Sequence, residues 1–518
     1  MNSLYKILVF AYVISSCQSP QGTESKVVDK GRESNKPNII IIYADDLGYG
    51  DLSCYGATEI QTPNFDRISA EGVRFTNGYA TSATCTPSRY AMLSGEYPWR
   101  NDKAEILAGN APLLFDVSRI TMPGLLKKEG YKTAVIGKWH LGLGGQGLDW
   151  NGKISPGPNE IGFEYSYIMA STNDRVPTVY VENDKVVGLE SRDSLKVFYP
   201  KFRWQDGWNP DWNYPGEPTG LENPELLKLQ PSHGHDMSIH NGISRIGFMK
   251  GGKSALWVDE HMADTILNRS QQFIIENKDN PFFLFYSLHQ PHVPRTPHSR
   301  FVGKSGMGAR GDAILEADWC VGQILQTLDV LGISDNTIVI FSSDNGPVLD
   351  DGYRDLANEL VGDHKAAGGL RGGKYSLFDA GTRVPFMIRW PDKIKPGVSD
   401  ALVCQMDLMN SFAKVIGADS VARDSQDLSP AFFENSVNGR ENLITEAMGR
   451  LAVRSGKWVL IPPYEGELIV NQWVKNETGF LDAYQLYNLE NDPGQKLNLA
   501  NKYPEVVERM KSIISESI

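Results

Sequence analysis

Residues Ile39-Ile40-Ile41-Ile42-Tyr43-Ala44 form an unbroken apolar run, rich in β-branched side chains, that ends directly in Asp45-Asp46. A short run without polar alternation reads as a strand buried on both faces, which a chain achieves mainly in a parallel sheet covered by helices on each side. Three further runs end the same way. Thr133 to Gly137 leads into Lys138-Trp139-His140, Pro281 to Leu288 into His289-Gln290-Pro291-His292, and Thr337 to Ser342 into Ser343-Asp344-Asn345-Gly346. Helical patterns lie between them at Asn64–Ala70, Gly124–Glu129, Trp257–Glu276 and Ala313–Leu331. This alternation predicts a doubly wound α/β domain. In open α/β sheets ligands bind at the carboxyl ends of the strands, and here those ends carry acids, an amide, lysine and histidines.

A chain of 518 residues exceeds one small core and predicts a large domain with a smaller companion. The large domain is expected over residues 37–417, closing with a helix at Gln405–Val415. Residues 418–518 change character and predict a C-terminal α+β subdomain. Its short strands are Leu443-Ile444-Thr445 and Trp458 to Ile461, followed by an amphipathic helix at Glu505–Ile514. Gly188 to Gly252 is rich in Pro, Gly, Trp and Asn, as suits a long loop carrying specificity. The net charge of −12 argues against a nucleic-acid partner. An anionic substrate would therefore need a local cluster of cations.

The N-terminus (MNSLYKILVFAYVISSC) has one lysine, an apolar run from Ile7 to Ile14 and small residues before Cys17. It reads as a signal segment over 1–17, too short to span a membrane. Ile14-Ser15-Ser16-Cys17 is similar to a bacterial lipobox, which implies a lipid on Cys17 and a periplasmic or cell-surface location. Residues 18–36 read as a flexible tether. Cys54, Cys320 and Cys404 are too few and too widely spaced for a disulfide framework.

Cys85-Thr86-Pro87-Ser88-Arg89 marks a loop meeting a helix. Thr86 or Cys85 can cap the first turn, and Pro87 suits the first helical position. Cys85 and Arg89, four apart, share a helix face beside the positive end of the helix dipole. Read from these residues alone, the pattern suits an acidified, reactive thiol, with a buried inert cysteine as the plain alternative. Asp45-Asp46 and Asp344-Asn345 together offer three carboxylates and one amide oxygen, a set that suits a hard cation such as Ca²⁺. An Asp-Asp pair after a strand, taken alone, is better explained by turn and cap chemistry, and it is two such pairs beside the Cys85 segment that favour the cation. Lys138 and His140 alternate at a strand end and are expected on one side of the pleat.

These segments together resemble one family. C-T-P-S-R resembles the C-x-P-x-R signature of the type I sulfatases, in which the cysteine is oxidised after synthesis to formylglycine (3-oxoalanine). Gly137 to Gly142 (GKWHLG) resembles the family's second signature, and Pro291 to Pro294 (PHVP) the segment with its catalytic histidine. Lys374 lies in a stretch similar to the family's G-K segment, with Phe378-Asp379-Ala380-Gly381 where many members carry Y-E-G-G. Leu486 to Pro493 (LYNLENDP) resembles a segment near sulfatase C-termini.

The resemblance implies an alkaline-phosphatase-like fold, with a mixed, mostly parallel sheet flanked by helices. It assigns one calcium to Asp45, Asp46, Asp344, Asn345 and modified Cys85. Arg89, Lys138 and Lys374 would hold the sulfate with the metal. His292 would be the acid for the leaving oxygen and His140 the base for collapse of the sulfated intermediate. A hydrated aldehyde attacks sulfur through one hydroxyl and expels sulfate through the other, an exit a thiol lacks. The implied partners are a sulfated saccharide and a formylglycine-generating maturation enzyme.

Ser171 to Pro177 (STNDRVP) is similar to a stretch of bacterial carbohydrate sulfatases acting on 6-sulfated galactose or N-acetylgalactosamine. There an Asp and an Arg read ring hydroxyls, which implies that role for Asp174 and Arg175. An adjacent Asp–Arg pair can clamp vicinal hydroxyls, although a surface ion pair explains it equally well. Another regiospecificity or an arylsulfatase is the nearest alternative. A zinc phosphatase or phosphodiesterase of the same fold is remote, because Asp344 is followed by Asn-Gly rather than His. Gly142 to Gly147 satisfies G-x-G-x-x-G, but no helix pattern follows it. His233, His235 and His240 are explained as loop histidines of a sugar-binding region as well as by metal binding.

Overall fold

The isoleucine run is a strand, Asn38–Ala44, buried at every residue. Its two neighbours run parallel to it, with Ile39 to Tyr43 pairing Phe283 to Ser287 on one side and Asn38 to Ala44 pairing Thr337 to Ser343 on the other. Side chains alternate between two cores, as a period of two requires. Ile39, Ile41 and Tyr43 enter one apolar cluster, and Ile40, Ile42 and Ala44 the other. Helices Cys85–Ser94, Met122–Lys128 and Leu408–Ile416 cover the first face. Helices Pro63–Ala70, Met262–Asn277 and Gly308–Leu331 cover the second. Each fully buried isoleucine contributes about 1.5–3 kcal/mol, so neither face tolerates a polar replacement.

This computed structural model describes residues 36–200, 214, 216–419 and 422–518. The expected signal segment with Cys17, and the tether as far as Asn35, lie outside them. Among the described residues no helix is long and apolar enough to cross a membrane.

The sheet has ten strands. Across it run Gly397–Cys404, Val73–Tyr79, Phe386–Arg389, Thr337–Ser343, Asn38–Ala44, Phe282–Ser287, Lys132–Lys138, Tyr165–Met169, Tyr180–Glu182 and Lys185–Val186. The five from Thr337–Ser343 to Tyr165–Met169 are mutually parallel. Phe386–Arg389 is antiparallel to both its neighbours, which makes the sheet mixed, as the family resemblance implied. Ala44 pairs with Ser343 and Tyr43 with Ser287, so Asp45, Asp344 and the loop to His292 leave the sheet at one level.

A second, four-stranded antiparallel sheet is built from Asn442–Ala447, Arg450–Ser455, Trp458–Ile461 and Gln485–Asn488. Helix Pro504–Ser517 packs Val507 and Met510 against Leu443, Val453 and Leu460. This sheet also fixes the loop before Cys85. Glu446 N donates to Thr81 O (2.9 Å), Ala83 N to Glu446 O (2.8 Å), and Ser82 Oγ to the Glu446 carboxylate (2.5 Å).

Several local expectations need correction. The fourth helix begins at Met262 rather than Trp257, because Asp259 is held by Arg245, Trp257 and Asn241 in a short 3-10 turn. The stretch expected as an irregular loop contains the strand pairs Lys196–Phe198 with Phe248–Lys250 and Ile239–His240 with Ile243–Ser244.

Candidate active site

The helix after the Cys85 loop spans Cys85–Ser94 with Thr84 at its N-cap. Cys85 is thus the first helical residue and Pro87 the third, where its missing N–H still costs no hydrogen bond. Thr86 does not cap. Its hydroxyl donates to His140 O (2.9 Å), tying the helix to the Lys132–Lys138 strand end. The expected acidified thiol is not there. Burial, against the pull of Lys138 and Lys374, pushes the Cys85 thiol up to about 12. A thiol so disposed is a poor nucleophile at neutral pH.

Arg89 shares the Cys85 face as expected but is committed elsewhere. It is fully buried, with Nε and Nη2 donating to Asp344 Oδ2 (2.9 and 2.7 Å) and Nη1 to Ser287 Oγ (2.7 Å). Three of its five N–H groups are occupied in this way, so Arg89 orients an acid of the cluster. The lysines are nearer the ligand space. Lys138 Nζ lies 2.6 Å from both Asp45 oxygens and 3.7 Å from Asp344 Oδ2. Lys374 Nζ bridges Asp46 Oδ2 (2.9 Å) and Asp351 Oδ2 (2.7 Å).

Carboxylate oxygens of Asp45, Asp46 and Asp344 lie within 4.8 Å of one another, all fully buried. Asn345 Nδ2 donates to Asp46 Oδ1 (2.8 Å) and Gly346 O (3.0 Å), while its Oδ1 is buried with no hydrogen-bond partner among the described residues. An orphaned carbonyl oxygen beside three acids fits a hard divalent cation and not zinc. The electrostatics agree. Burial drives Asp45 well above the usual carboxylate range against the pull of Lys138, with Asp344 and Asp46 adding to the rise. Burial acts on Asp344 too, but Arg89 and Lys138 outweigh it and hold that acid low. Such closely set acids are relieved by a cation between them.

His292 Nδ1 lies 2.6 Å from Val293 O, which leaves Nε2 toward the acids, 3.8 Å from Asp46 Oδ2. Asp45, Cys85 and His292 also bring ligand atoms within 4.8 Å. Burial, then Lys374 and Lys138, hold His292 well below the ordinary imidazole range. His140 does not share the pleat with Lys138. It lies past the strand with φ 55°, its Nε2 3.0 Å from Leu107 O and its Nδ1 buried without a partner.

Asp174 and Arg175 form an ion pair (2.9 Å) that is nearly buried. Burial and then Arg175 act in opposite directions on the Asp174 carboxyl, and the net is well below the usual range. Asn173 Nδ2 donates to Pro294 O (3.1 Å), two residues past His292, so the turn that carries the pair lies beside the same centre.

Three further contributors come from loops, and of these the sequence singles out only His235, as a loop histidine of a sugar-binding region. Asp351 accepts from Lys374 and from the Tyr375 hydroxyl (3.2 and 3.3 Å). His235 reaches Asp174 from a distant loop. Asp51 holds the Lys374 loop by accepting from Arg310 (2.8 and 2.6 Å) and facing His364 Nε2 (2.8 Å). None belongs to a short motif, and each is placed by a crossing of loops.

A parallel-centred sheet whose strand ends carry a buried acid cluster and Lys138, with Lys374 on a loop and Cys85 at a helix start brought beside them, defines a metal-assisted ester hydrolase of the alkaline-phosphatase-like fold. The sulfatase family model matches residues 37–418, and the chain belongs to that family as a type I sulfatase, a sulfuric ester hydrolase. It is 49% identical over 491 residues to an N-acetylgalactosamine-6-O-sulfatase of Bacteroides thetaiotaomicron, covering 94% of each chain. Human arylsulfatase A is 30% identical over 504 residues, covering 92% of this chain and 87% of that one. A solved Bacteroides thetaiotaomicron sulfatase structure, from work on the metabolism of multiple glycosaminoglycans, matches with a TM-score of 0.89 at 49% identity. That match covers 93% of this chain and 99% of the other.

Proposed function

We propose that the enzyme removes the 6-O-sulfate of galactose or N-acetylgalactosamine units in host or algal glycans. The observation that carries this reading is the nearly buried Asp174–Arg175 pair, on a turn that Asn173 ties to Pro294, two residues past His292. The 49% identical relative named as an N-acetylgalactosamine-6-O-sulfatase supports it.

Cys85 is read as matured by a separate enzyme to formylglycine, which supplies a hydroxyl nucleophile that can return to a carbonyl. Asp45, Asp46, Asp344 and Asn345 would hold a calcium ion, which supplies positive charge beside the reacting oxygens. Lys138 and Lys374 face the same space and neutralise the sulfate oxygens in the transition state, where fixed charge acts most strongly. Arg89 keeps Asp344 ionised and oriented. His292, steered by Val293 O, donates a proton to the departing alcohol oxygen. Burial is the main cause that holds this imidazole low, and a bound sulfate ester offsets the lysine charges that add to it. His140 faces Leu107 O through Nε2 and keeps Nδ1 as the lone pair for a base.

We place the enzyme in the periplasm or at the cell surface, anchored by a lipid on Cys17, on the strength of the lipobox-like Ile14 to Cys17. Sulfate release from galactose sulfated singly at position 2, 3, 4 or 6, and from N-acetylgalactosamine sulfated singly at position 3, 4 or 6, tests the specificity. Release confined to the 6-sulfates is expected, and no release from any 6-sulfate overturns it.

A further inference from the structure

His235 lies where residues 231–235 cross the loop that carries Asp351. Ser232 N donates to Gly352 O (2.9 Å), and Pro231 forms a bridge with Tyr353. The imidazole is buried, with its centroid 4.8 Å from that of the Tyr353 ring. Its Nδ1 is 2.7 Å from His233 O and its Nε2 2.9 Å from Asp174 Oδ2. Both partners are oxygen atoms, so the ring is fixed at both of its nitrogens. Room for the ring is made by Gly352, where a Cβ would fall 2.0 Å from Nδ1.

We propose that His235 is a positioning residue for sugar recognition, holding Asp174 in the orientation that meets the ring hydroxyls of the 6-sulfated sugar. The proposal rests on the reading of Asp174 and Arg175 as hydroxyl contacts. Thr172 and Arg175, the other side-chain partners of Asp174, belong to the same tight turn and move with it. Among the described residues His235 is its one side-chain partner from outside that turn, 61 positions along the chain. The carboxylate is thus held from two sides, by Arg175 within the turn and by His235 from outside it. Arg175 spends only Nη1 on Asp174 and Thr172 among the described residues, which leaves Nε and Nη2 to donate to the substrate. A fixed acceptor beside free donors is what vicinal hydroxyls require. Without His235 the turn keeps its internal bonds and its ties to Ile246, Arg245 and Pro294, but the Asp174 carboxylate loses its one side-chain hold from outside the turn, so binding of the sugar should suffer more than the chemistry.

Steady-state kinetics of the matured enzyme, with N-acetylgalactosamine 6-sulfate and nitrophenyl sulfate as probes, test this on three variants. His235→Ala is expected to raise KM for the sugar sulfate about tenfold while kcat stays within about threefold, as loss of one buried bond to a charged acceptor implies. The loss in kcat/KM should be smaller on nitrophenyl sulfate, which has no ring hydroxyls. His235→Gln retains an N–H donor and should recover most of the KM. Asp174→Ala reports on the underlying reading, and an unchanged KM there would overturn the hydroxyl contact itself. If Asp174→Ala raises KM but His235→Ala changes it less than about twofold, the positioning role is overturned. Equal losses on both substrates, or a glutamine variant no better than alanine, would overturn it as well.

Discussion

Arg89 and Asp344 are bound end to end, with two guanidinium nitrogens on one carboxylate oxygen at 2.9 and 2.7 Å and the third on Ser287. Both are fully buried, so this fork fixes an acid of the cation-binding cluster in advance of substrate. Arg89→Lys keeps the charge and loses the fork. A displacement of that acid is expected to lower kcat about 100-fold with a smaller change in KM. Steady-state kinetics check this. A raised KM with kcat intact would place Arg89 on the sulfate instead.

Lys374 is shared between Asp46 and Asp351. Asp351→Asn removes the outer carboxylate and leaves the ammonium to swing toward the acid cluster. The expected result is a fall of about tenfold in kcat/KM for every sulfate ester, sugar or aryl, because the sulfate clamp serves both. A loss confined to sugar substrates would instead make Asp351 a sugar contact.

The strand ends are legible in the sequence because an apolar run that stops at a charged pair has few alternatives in a folded chain. That juxtaposition alone singles out Asp45, Asp46, Lys138, His292, Asp344 and Asn345. The flanking strands Val73–Tyr79, Tyr165–Met169 and Phe386–Arg389 give no such signal. Val73–Tyr79 mixes Arg74, Thr76 and Asn77 with apolar residues because it is partly exposed, and the others are short. Periodicity misplaces His140 because the pleat stops at Lys138 and the chain turns into a left-handed backbone. The expectation of an acidic thiol fails because burial outweighs both the helix N-terminus and the nearby cations. Asp351 and His235 lie in loops, where spacing along the chain says nothing about which loops cross.

Glu316 links stability to pH. It is buried on Gly308–Leu331 and accepts from Gln290 Nε2 (3.0 Å) and His298 N (2.9 Å), bracing the loop that carries His292. Burial raises its carboxyl from the ordinary 4.5 to about 7. Between those values the folded protein holds a proton that the unfolded chain has released. Stability therefore falls as pH rises through that window, by on the order of 3 kcal/mol. Glu316→Gln removes the titration, and denaturant unfolding from pH 5 to 8 should show a flatter slope for the variant. An unchanged slope would mean Glu316 is ionised throughout.

His292→Ala is expected to cost more on alkyl leaving groups, such as sugar hydroxyls, than on nitrophenol, which departs without protonation. The difference between the two losses, read as kcat/KM ratios, should be about 100-fold, the usual worth of a positioned acid. Equal losses would remove His292 as the acid and leave it a role in packing beside Asp46.

The central claim is that Cys85 acts only after conversion to an aldehyde. Mass spectrometry of the peptide Thr81–Arg89 from enzyme of known specific activity tests it most directly. Activity should rise in proportion to the fraction of chains carrying formylglycine at Cys85. Full activity in a preparation whose Cys85 is entirely an unmodified thiol would contradict the account.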